Sequence, residues 1–294
     1  MPVRRVIILG ANGRIGHALF RRLRMKTGSE VIGTSRRKDV QEGMQCFDPF
    51  TDSWPELGEA DVLINCIGAI QEKAKYSLAK VHIDLAGMMI RNREAIGNPA
   101  ILQISALGAA EDHPSGFLRT KGQADALLLE QENTWIIRPS IVCVPGTALA
   151  GKLRMLRKIA AVMNGHLLLP KDFINSYIQP ILMEDLEELI ERIMTQGYPE
   201  RIIHAAGPEK INYDYLLSLP GKDLKQLIRV KEINEHIFRA IVRFFISPLF
   251  PGLLSYEQYR LLFDDNTTDI AAVKSILGRE PGSTIGFWRN NGEA

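Results

Sequence analysis

The stretch RVIILGANGRIG, residues 5–16, runs from an apolar, β-branched segment into three glycines spaced G-x-x-G-x-x-G. An apolar, strand-sized run, then a turn, then the amphipathic stretch Arg14–Met25 reads as the opening of a β-α-β unit. Each glycine has its own task. Gly10 lets the chain turn sharply off the strand, Gly13 lets the backbone approach a pyrophosphate, and Gly16 lets the helix pack close to the sheet. An anion held there rests on the helix N-terminus, where unpaired N–H groups and the helix dipole favour it. A glycine trio also occurs in ordinary turns; the strand before it and the helix after it mark a dinucleotide loop. Gly10, Asn12, Gly13, Arg14, Ile15 and Gly16 are therefore expected to cradle a nicotinamide nucleotide.

Outward from this loop the pattern repeats. RVIILG (5–10), EVIGTS (30–35), DVLINCIG (61–68), AILQIS (100–105) and WIIRPS (135–140) are short and nearly continuous in hydrophobicity, as strands buried on both faces are. Helical stretches at 14–25, 77–96 and 118–132 alternate with them. This predicts an α/β fold, a doubly wound parallel sheet of Rossmann type. Pro145-Gly146 breaks the pattern, and MEDLEELIERIM (183–194) and RIIHAAG (201–207) read as a further helix and strand of the sheet. The expected division is a nucleotide-binding domain at 1–146, with 182–207 returning to it. A smaller, mainly helical C-terminal lobe is expected from 147–181 and 208–294.

Bulk properties narrow the function classes. The 294 residues are 46% hydrophobic with net charge +2, so no strong field favours nucleic acid, and no basic stripe with interleaved aromatics appears. Three scattered cysteines, Cys46, Cys66 and Cys143, form no metal or disulfide pattern, and two lie in apolar runs, as buried free thiols do. The six histidines show no metal-ligand spacing, so no metal is expected. No run reaches the length of a membrane span, and the N-terminus passes directly into the first strand, which sets cytoplasmic as the expected location.

The segment after the second strand concerns the choice of nucleotide. An NAD site wants a carboxylate about 20 residues past the glycines, to hold the ribose 2′-hydroxyl. TSRRKD offers Ser35, Arg36 and Arg37 instead. Guanidinium groups suit a 2′-phosphate, which a carboxylate would repel, so NADP(H) is expected over NAD(H). A solvated basic strand end is the plainer alternative.

GANGRIG, FDP around Asp48, NCIGA (65–69), VHIDLAG (81–87), ISALGA (104–109) and IIRPSIVCVPG (136–146) occur in an order that resembles the atypical extended short-chain dehydrogenases/reductases. The nearer resemblance is to the NAD(P)-binding accessory subunit of respiratory complex I. LLSYEQYRLLFDDN (253–266) and SILGREP (275–281) are similar to that group's closing segment. The resemblance implies that Asp48 contacts adenine and that the turn Asn65, Cys66, Ile67 and Gly68 lies beside the adenosine ribose. It also implies that Pro139 and Ile141 border the nicotinamide, although Asp48 as a turn former and Pro139 as a strand end are bland readings.

Active members of that superfamily use Tyr-x-x-x-Lys with an upstream serine or threonine, Tyr and Lys standing one helical turn apart. The lysine holds ribose hydroxyls, and its charge lowers the tyrosine pKa so that the phenol exchanges a proton with substrate. Ser105 and Lys121 occupy the matching places, but Phe117 stands where the tyrosine would, and a phenyl ring has no exchangeable proton. Lys121 then reads as a ribose clamp or as a solvated helix lysine. His113, in the loop EDHPSG, is a candidate replacement acid and also a plain surface histidine; His82 reads as structural.

EHIFRAIVRFFISPLFPGLL (235–254) is the most apolar stretch, with Arg239 and Arg243 one turn apart. Packing within the lobe is the expectation, and docking to a protein partner or a membrane interface the alternative. Tyr177 and Gln179 lie where relatives contact substrate. Two functional readings remain open. One is an NADP(H)-binding sensor or assembly subunit, weakly active or non-catalytic, without the usual tyrosine. The other is an NAD(P)H-dependent oxidoreductase or epimerase/dehydratase acting on a small molecule.

Overall fold

The structure, a computed structural model, describes residues 3–26, 28–38, 41–72, 76–219, 228–241, 243–244 and 265–290. In chain order it begins with β1 (Arg5–Leu9), α1 (Arg14–Lys26), β2 (Glu30–Ser35), β3 (Met44–Cys46) and β4 (Val62–Asn65). There follow α2 (Leu85–Arg91), β5 (Ala100–Ile104), α3 (Gly116–Leu129) and β6 (Thr134–Pro139). Next come β7 (Val142–Cys143), α4 (Ala148–Val162), β8 (His166–Pro170), α5 (Lys171–Asn175), β9 (Tyr177–Ile178) and β10 (Ile181–Leu182). Then α6 (Met183–Gln196), β11 (Ile202–Ala205), β12 (Ile211–Asn212), α7 (Tyr213–Ser218), β13 (Arg229–Ile233) and α8 (Glu235–Ile241) are followed by α9 (Ala271–Leu277) and α10 (Ile285–Arg289).

The chain divides into two units. The first comprises Met1–Pro139, Met183–Ala205 and Ala271–Glu280. Its seven strands form one sheet in the order β11-β6-β5-β4-β1-β2-β3, every pair parallel. The strand order reverses between β1 and β4, both reached from opposite directions along the chain. In open parallel sheets, ligands bind outside the strand ends at such a switch point. Val6 to Leu9, Leu63, Ile64, Ile101 and Leu102 are wholly buried, as strands covered on both faces must be. Helix α1 packs with α6, where Arg22 Nε lies 2.7 Å from Glu191, and α2 packs with α3. Arg279 ties the segment after α9 to α6 through Asp185 (2.8 Å) and Glu188 (2.6 Å).

The helix expected at 77–96 is interrupted. A wide π turn spans Lys80–Asp84, α2 covers Leu85–Arg91, and a tight 3₁₀ turn covers Glu94–Ile96. Such π turns occur mostly as single insertions and often at functional sites. Here the turn contains His82, whose ring is fixed at both nitrogens.

The second unit comprises Ser140–Leu182, Ala206–Ile270 and Pro281–Ala294. Besides its helices it carries three two-stranded ladders: β7 with β10 and β8 with β13, both parallel, and β9 with β12, antiparallel. Its core gathers Leu149, Leu153, Leu167, Leu169, Leu216 and Trp288 around Phe173 and Tyr213, whose rings stack at 4.5 Å. Gln179 is pinned from both ends: its Nε2 donates to Gly207 O (2.8 Å) and its Oε1 accepts from Thr268 N–H (2.9 Å). Its amide is thus spent on the backbone, against the expectation that it meets substrate.

Helix α8 covers only the first seven residues of the apolar stretch expected to pack within the lobe. None of its residues is buried, and Ile237, Ile241 and the following Phe244 are exposed at helical spacing. Only Phe238 packs against the lobe core. Arg239 pairs with Glu235, and Arg243 lies over the Phe244 ring at 5.7 Å. Residues 245–254 of the apolar stretch, and most of 253–266, lie outside the described residues. Asp265 and Asn266 are described: Asp265 accepts from Tyr177 N–H at 2.8 Å, and Ser140 Oγ donates to Asn266.

Candidate functional site

Each expected site residue up to Pro139 lies on the first unit, at or just beyond the carboxyl ends of its strands, except Phe117 and Lys121, which lie on α3. Gly10 leaves β1 with φ +76°, a conformation costly for any residue with a Cβ, and a Cβ there would sit 2.8 Å from Ile67. At Gly16 the constraint is contact: a Cβ would lie 2.4 Å from Gly10 O, so the first turn of α1 presses on the loop itself. Gly13 differs. A Cβ there would meet only Gly10 O, at 3.2 Å, and its outer side is open. Gly13 N–H donates to Gly10 O (2.9 Å), closing the loop, while Asn12, Gly13 and Arg14 stay exposed and Ile15 is half-buried. The first turn of α1 carries no acidic residue that would compete with an anion.

Beyond β2, Ser35 is buried and its Oγ accepts from Arg37 N–H at 3.1 Å. Arg36 and Arg37 are exposed, and the Arg36 guanidinium lies over the Tyr76 ring, 4.4 Å from its centre. Asp48 follows β3, a strand the periodicity did not single out. Its carboxylate accepts from Phe50 N–H (3.1 Å) and stands 3.5 Å from the Tyr76 hydroxyl. Asp48 is thus a turn former as well as a candidate ligand.

The turn after β4 is shaped by Asn65, buried beneath it. Asn65 Nδ2 donates to Gln103 (2.7 Å), and its Oδ1 accepts from Ile67 N–H (3.0 Å). Cys66 and Ile67 are part-buried. Burial pushes the Cys66 thiol up to about 12, against the pull of the Lys121 charge, so the thiol stays protonated and inert near neutral pH. Cys46 is exposed rather than enclosed, and Cys143 is buried.

Lys121 is the centre of the constellation. It is 4% exposed, and its Nζ donates to Ile104 O at 2.8 Å. A Cβ on Gly68 would lie 3.3 Å from that Nζ, which places the ammonium against the β4 turn rather than in solvent. Burial lowers its pKa to about 8, with Asp125 and then Cys66 opposing the shift. Lys121 is still a cation at neutral pH, but it loses that charge within reach of ordinary buffers. The solvated-lysine alternative does not fit a side chain so enclosed.

Ser105 does not stand beside it as a free hydroxyl. Its Oγ donates to Asp125 Oδ2 at 2.7 Å, and Arg138 Nε lies 2.9 Å from the same oxygen. Asp125 is completely buried one helical turn after Lys121, and its Oδ1 has no hydrogen-bond partner among the described residues. Burial raises the Asp125 pKa, opposed by Ser105 and Arg138. Residues 105, 125 and 138 thus form a network that no spacing rule in the sequence announces, because its members come from β5, α3 and β6.

Phe117, half-buried, packs edge-on against the His82 ring with centroids 5.9 Å apart. His82 Nε2 accepts from Ala69 N–H (3.3 Å), which leaves the proton on Nδ1, 2.8 Å from Thr120 Oγ. Thr120 in turn donates to Gly116 O (2.9 Å) on its own helix. Burial, then the Lys121 charge, lowers the His82 pKa to about 3, so the ring is neutral and structural. His113 Nδ1 accepts from Ser115 N–H (3.0 Å), a local loop bond. Helix α3 has a fixed seat: a Cβ on Gly122 would lie 2.3 Å from the Ala110 backbone. Pro139 is buried at the end of β6, and Ile141 is part-buried in the second unit.

No family model matches the chain. Over 198 residues it is 25% identical to the NADH dehydrogenase [ubiquinone] 1 alpha subcomplex subunit 9, mitochondrial, of Dictyostelium discoideum, covering 64% of this chain and 53% of that one. The chain thus spans about half the length of that curated relative. In overall fold it is similar to a nucleoside-diphosphate-sugar epimerase from Staphylococcus aureus (TM-score 0.71, 15% identity, 97% of this chain and 100% of that one). It is also similar to a dTDP-glucose 4,6-dehydratase from Bacillus anthracis in complex with NAD (TM-score 0.66, 12% identity, 99% and 94%). These likenesses show the fold, that of the epimerase and dehydratase structures, built on a Rossmann-type parallel sheet. Within that fold the chain lacks the tyrosine, Phe117 taking its place, while the glycine loop and Lys121 are kept. No helix among the described residues is long and apolar enough to cross a membrane.

Proposed function

We propose that this protein binds NADP(H) and serves as a nucleotide-dependent sensor or assembly subunit, with weak turnover at most. On this reading the loop from Gly10 to Gly16, with Asn12, Arg14 and Ile15, holds the pyrophosphate. Arg36 and Arg37 favour the 2′-phosphate, and Ser35, Asp48, Cys66, Ile67 and Gly68 border the adenosine. Lys121 bonds the nicotinamide ribose, with Pro139 at the nicotinamide. When bound, the nucleotide supplies a redox-active ring. The open outer side of Gly13 and the acid-free start of α1 fit such a ligand.

One observation carries the non-catalytic part of the reading: the proton donors around Lys121 are absent or committed. Phe117 has none, the Ser105 proton is on Asp125, and the Thr120 proton is on the backbone of its own helix. A positioned general acid contributes about 10²–10⁴-fold in rate, and none of Phe117, Ser105 and Thr120 has a free proton to give. The likeness to a subunit of NADH dehydrogenase supports a role within a larger assembly, and the exposed side chains of α8 offer a surface for a protein or membrane contact.

Nucleotide-dependent melting tests the binding, and Phe117→Tyr tests the chemistry. NADPH is expected to raise the melting temperature more than NADH, by an amount equivalent to about 2.7 kcal/mol at 100 times its dissociation constant. Phe117→Tyr is expected to keep that shift and leave turnover of generic carbonyl substrates at background. Wild-type turnover at about 1–10³ per second would instead establish the oxidoreductase or epimerase/dehydratase alternative.

A further inference from the structure

Two cations meet at one aromatic ring beyond the ends of β2 and β3. Arg36 lies over Tyr76 with its guanidinium carbon 4.4 Å from the ring centre, and Lys80 Nζ lies 5.4 Å from the same centre. Lys80 also stands 5.3 Å from the centre of Phe50, whose ring is 6.2 Å from that of Tyr76. Among the described residues neither Arg36 nor Lys80 forms an ion pair with a carboxylate. Asp48 touches the group: it directs an oxygen at the Tyr76 hydroxyl and accepts from Phe50 N–H.

Lys80 is also held in place. It opens the π turn Lys80–Asp84, which is pinned two residues on by His82 to Ala69 N–H and to Thr120. Its own N–H donates to Ser77 Oγ at 3.1 Å. A cation held over an aromatic face still lacks a full counter-charge. A dianion beside the ring that reaches both the guanidinium and the ammonium gains charge-assisted hydrogen bonds from each.

We infer that Lys80 and Arg36, steadied on Tyr76, form the clamp that selects a 2′-phosphate on the adenosine ribose. Lys80 joins Arg36 as the second cation of that clamp and contributes more than the neighbouring Arg37. This rests on the dinucleotide-binding reading given above. Arg37 has its N–H turned to Ser35, and no aromatic support for its side chain is found among the described residues. Sequence spacing alone favours Arg37, because it adjoins Arg36, whereas Lys80 is 44 residues away along the chain. The fold brings it close.

The test is the ratio of NADPH to NADH dissociation constants in the full chain, measured by nucleotide fluorescence. 2′,5′-ADP and 5′-ADP serve as probes of the adenosine half alone. Lys80→Met is expected to weaken NADPH and 2′,5′-ADP about tenfold or more, the loss of a charged hydrogen bond, with NADH and 5′-ADP little changed. Lys80→Arg should keep the selectivity, Tyr76→Leu should lose part of it, and Arg37→Met should change it less than Lys80→Met. An unchanged ratio in Lys80→Met, with Gly13→Val abolishing binding of both nucleotides, overturns the clamp and leaves the dinucleotide reading standing. Wild-type protein that binds neither nucleotide overturns both.

Discussion

The Ser105 hydroxyl donates to the Asp125 carboxylate across 2.7 Å, and Arg138 closes on the same oxygen from β6. The serine that the superfamily pattern assigns to substrate is therefore a buttress of α3. Ser105→Ala removes a hydrogen bond to a buried charged group, so it should cost about 1–3 kcal/mol in urea unfolding. NADPH affinity should stay within about twofold of wild type. A large affinity loss with unchanged stability would return Ser105 to the ligand.

Lys121 predicts a pH dependence of binding. Its folded pKa is about 8, below the ordinary 10.5, because burial penalises the charge. Ribose hydroxyls accept from the ammonium and not from a neutral amine as strongly, so NADPH affinity should be steady below pH 7 and fall as the pH passes 8. Lys121→Met should bind more weakly and lose this dependence. In the ligand-free protein the sign reverses. Between about pH 8 and 10.5 the unfolded chain holds the extra proton, so this group adds stability as pH rises through that window. Titrations monitored by nucleotide fluorescence and by urea midpoint read the two effects separately.

His82 makes the fold acid-sensitive. Its folded pKa is lowered to about 3 from 6.5, so between those values the unfolded chain binds the extra proton. The stability due to neutral His82 is complete above about pH 6.5 and is lost as the pH falls toward 3. His82→Gln, which can still accept from Ala69 and donate to Thr120, should flatten the decline of the urea midpoint between pH 6.5 and 4. An equally steep decline would place the acid sensitivity elsewhere.

The glycines of the loop should separate fold from function. A Cβ at position 16 meets Gly10 O at 2.4 Å, so Gly16→Ala should cost about 1–3 kcal/mol of stability. Gly13→Val projects from the open side of the loop, and it should spare most of the stability while abolishing the NADPH-induced melting shift. Calorimetry with and without NADPH distinguishes the two patterns.

The lobe should respond unevenly to truncation. Ile241 and Phe244 are exposed, so Ile241→Ser should change stability by no more than about 0.5 kcal/mol. Phe173→Ala, which unstacks Tyr213 in the core, should cost about 3–5 kcal/mol. Comparable losses from both would mean that α8 is covered in solution.

The sheet is legible because its strands are apolar and of ordinary length: five of its seven coincide closely with the apolar, β-branched runs between residues 5 and 140, and RIIHAAG contains β11. β3 is not, since Met44–Cys46 is three residues with only partial burial, too short for a period to show. The two-residue strands of the lobe escape for the same reason. At the candidate site, residues adjacent in sequence were found by motif, and those assembled by topology were not. Asp125, Arg138, Tyr76 and Lys80 are ordinary polar residues until the sheet brings them to their partners. Of the apolar stretch 235–254 the described residues show the start: Phe238 packs on the lobe core while Ile237 and Ile241 are exposed, a division that the narrow arginine-bearing face does not reveal.

The contact between Gly122 and Ala110 has a consequence for the history of position 117. Backbone presses on backbone there, so the azimuth of α3 is set one residue past Lys121 and owes nothing to the ring at 117. Phenylalanine and tyrosine codons differ by one base. A single transversion therefore exchanges a phenyl for a phenol at this site, in either direction, without any resetting of the helix that carries it.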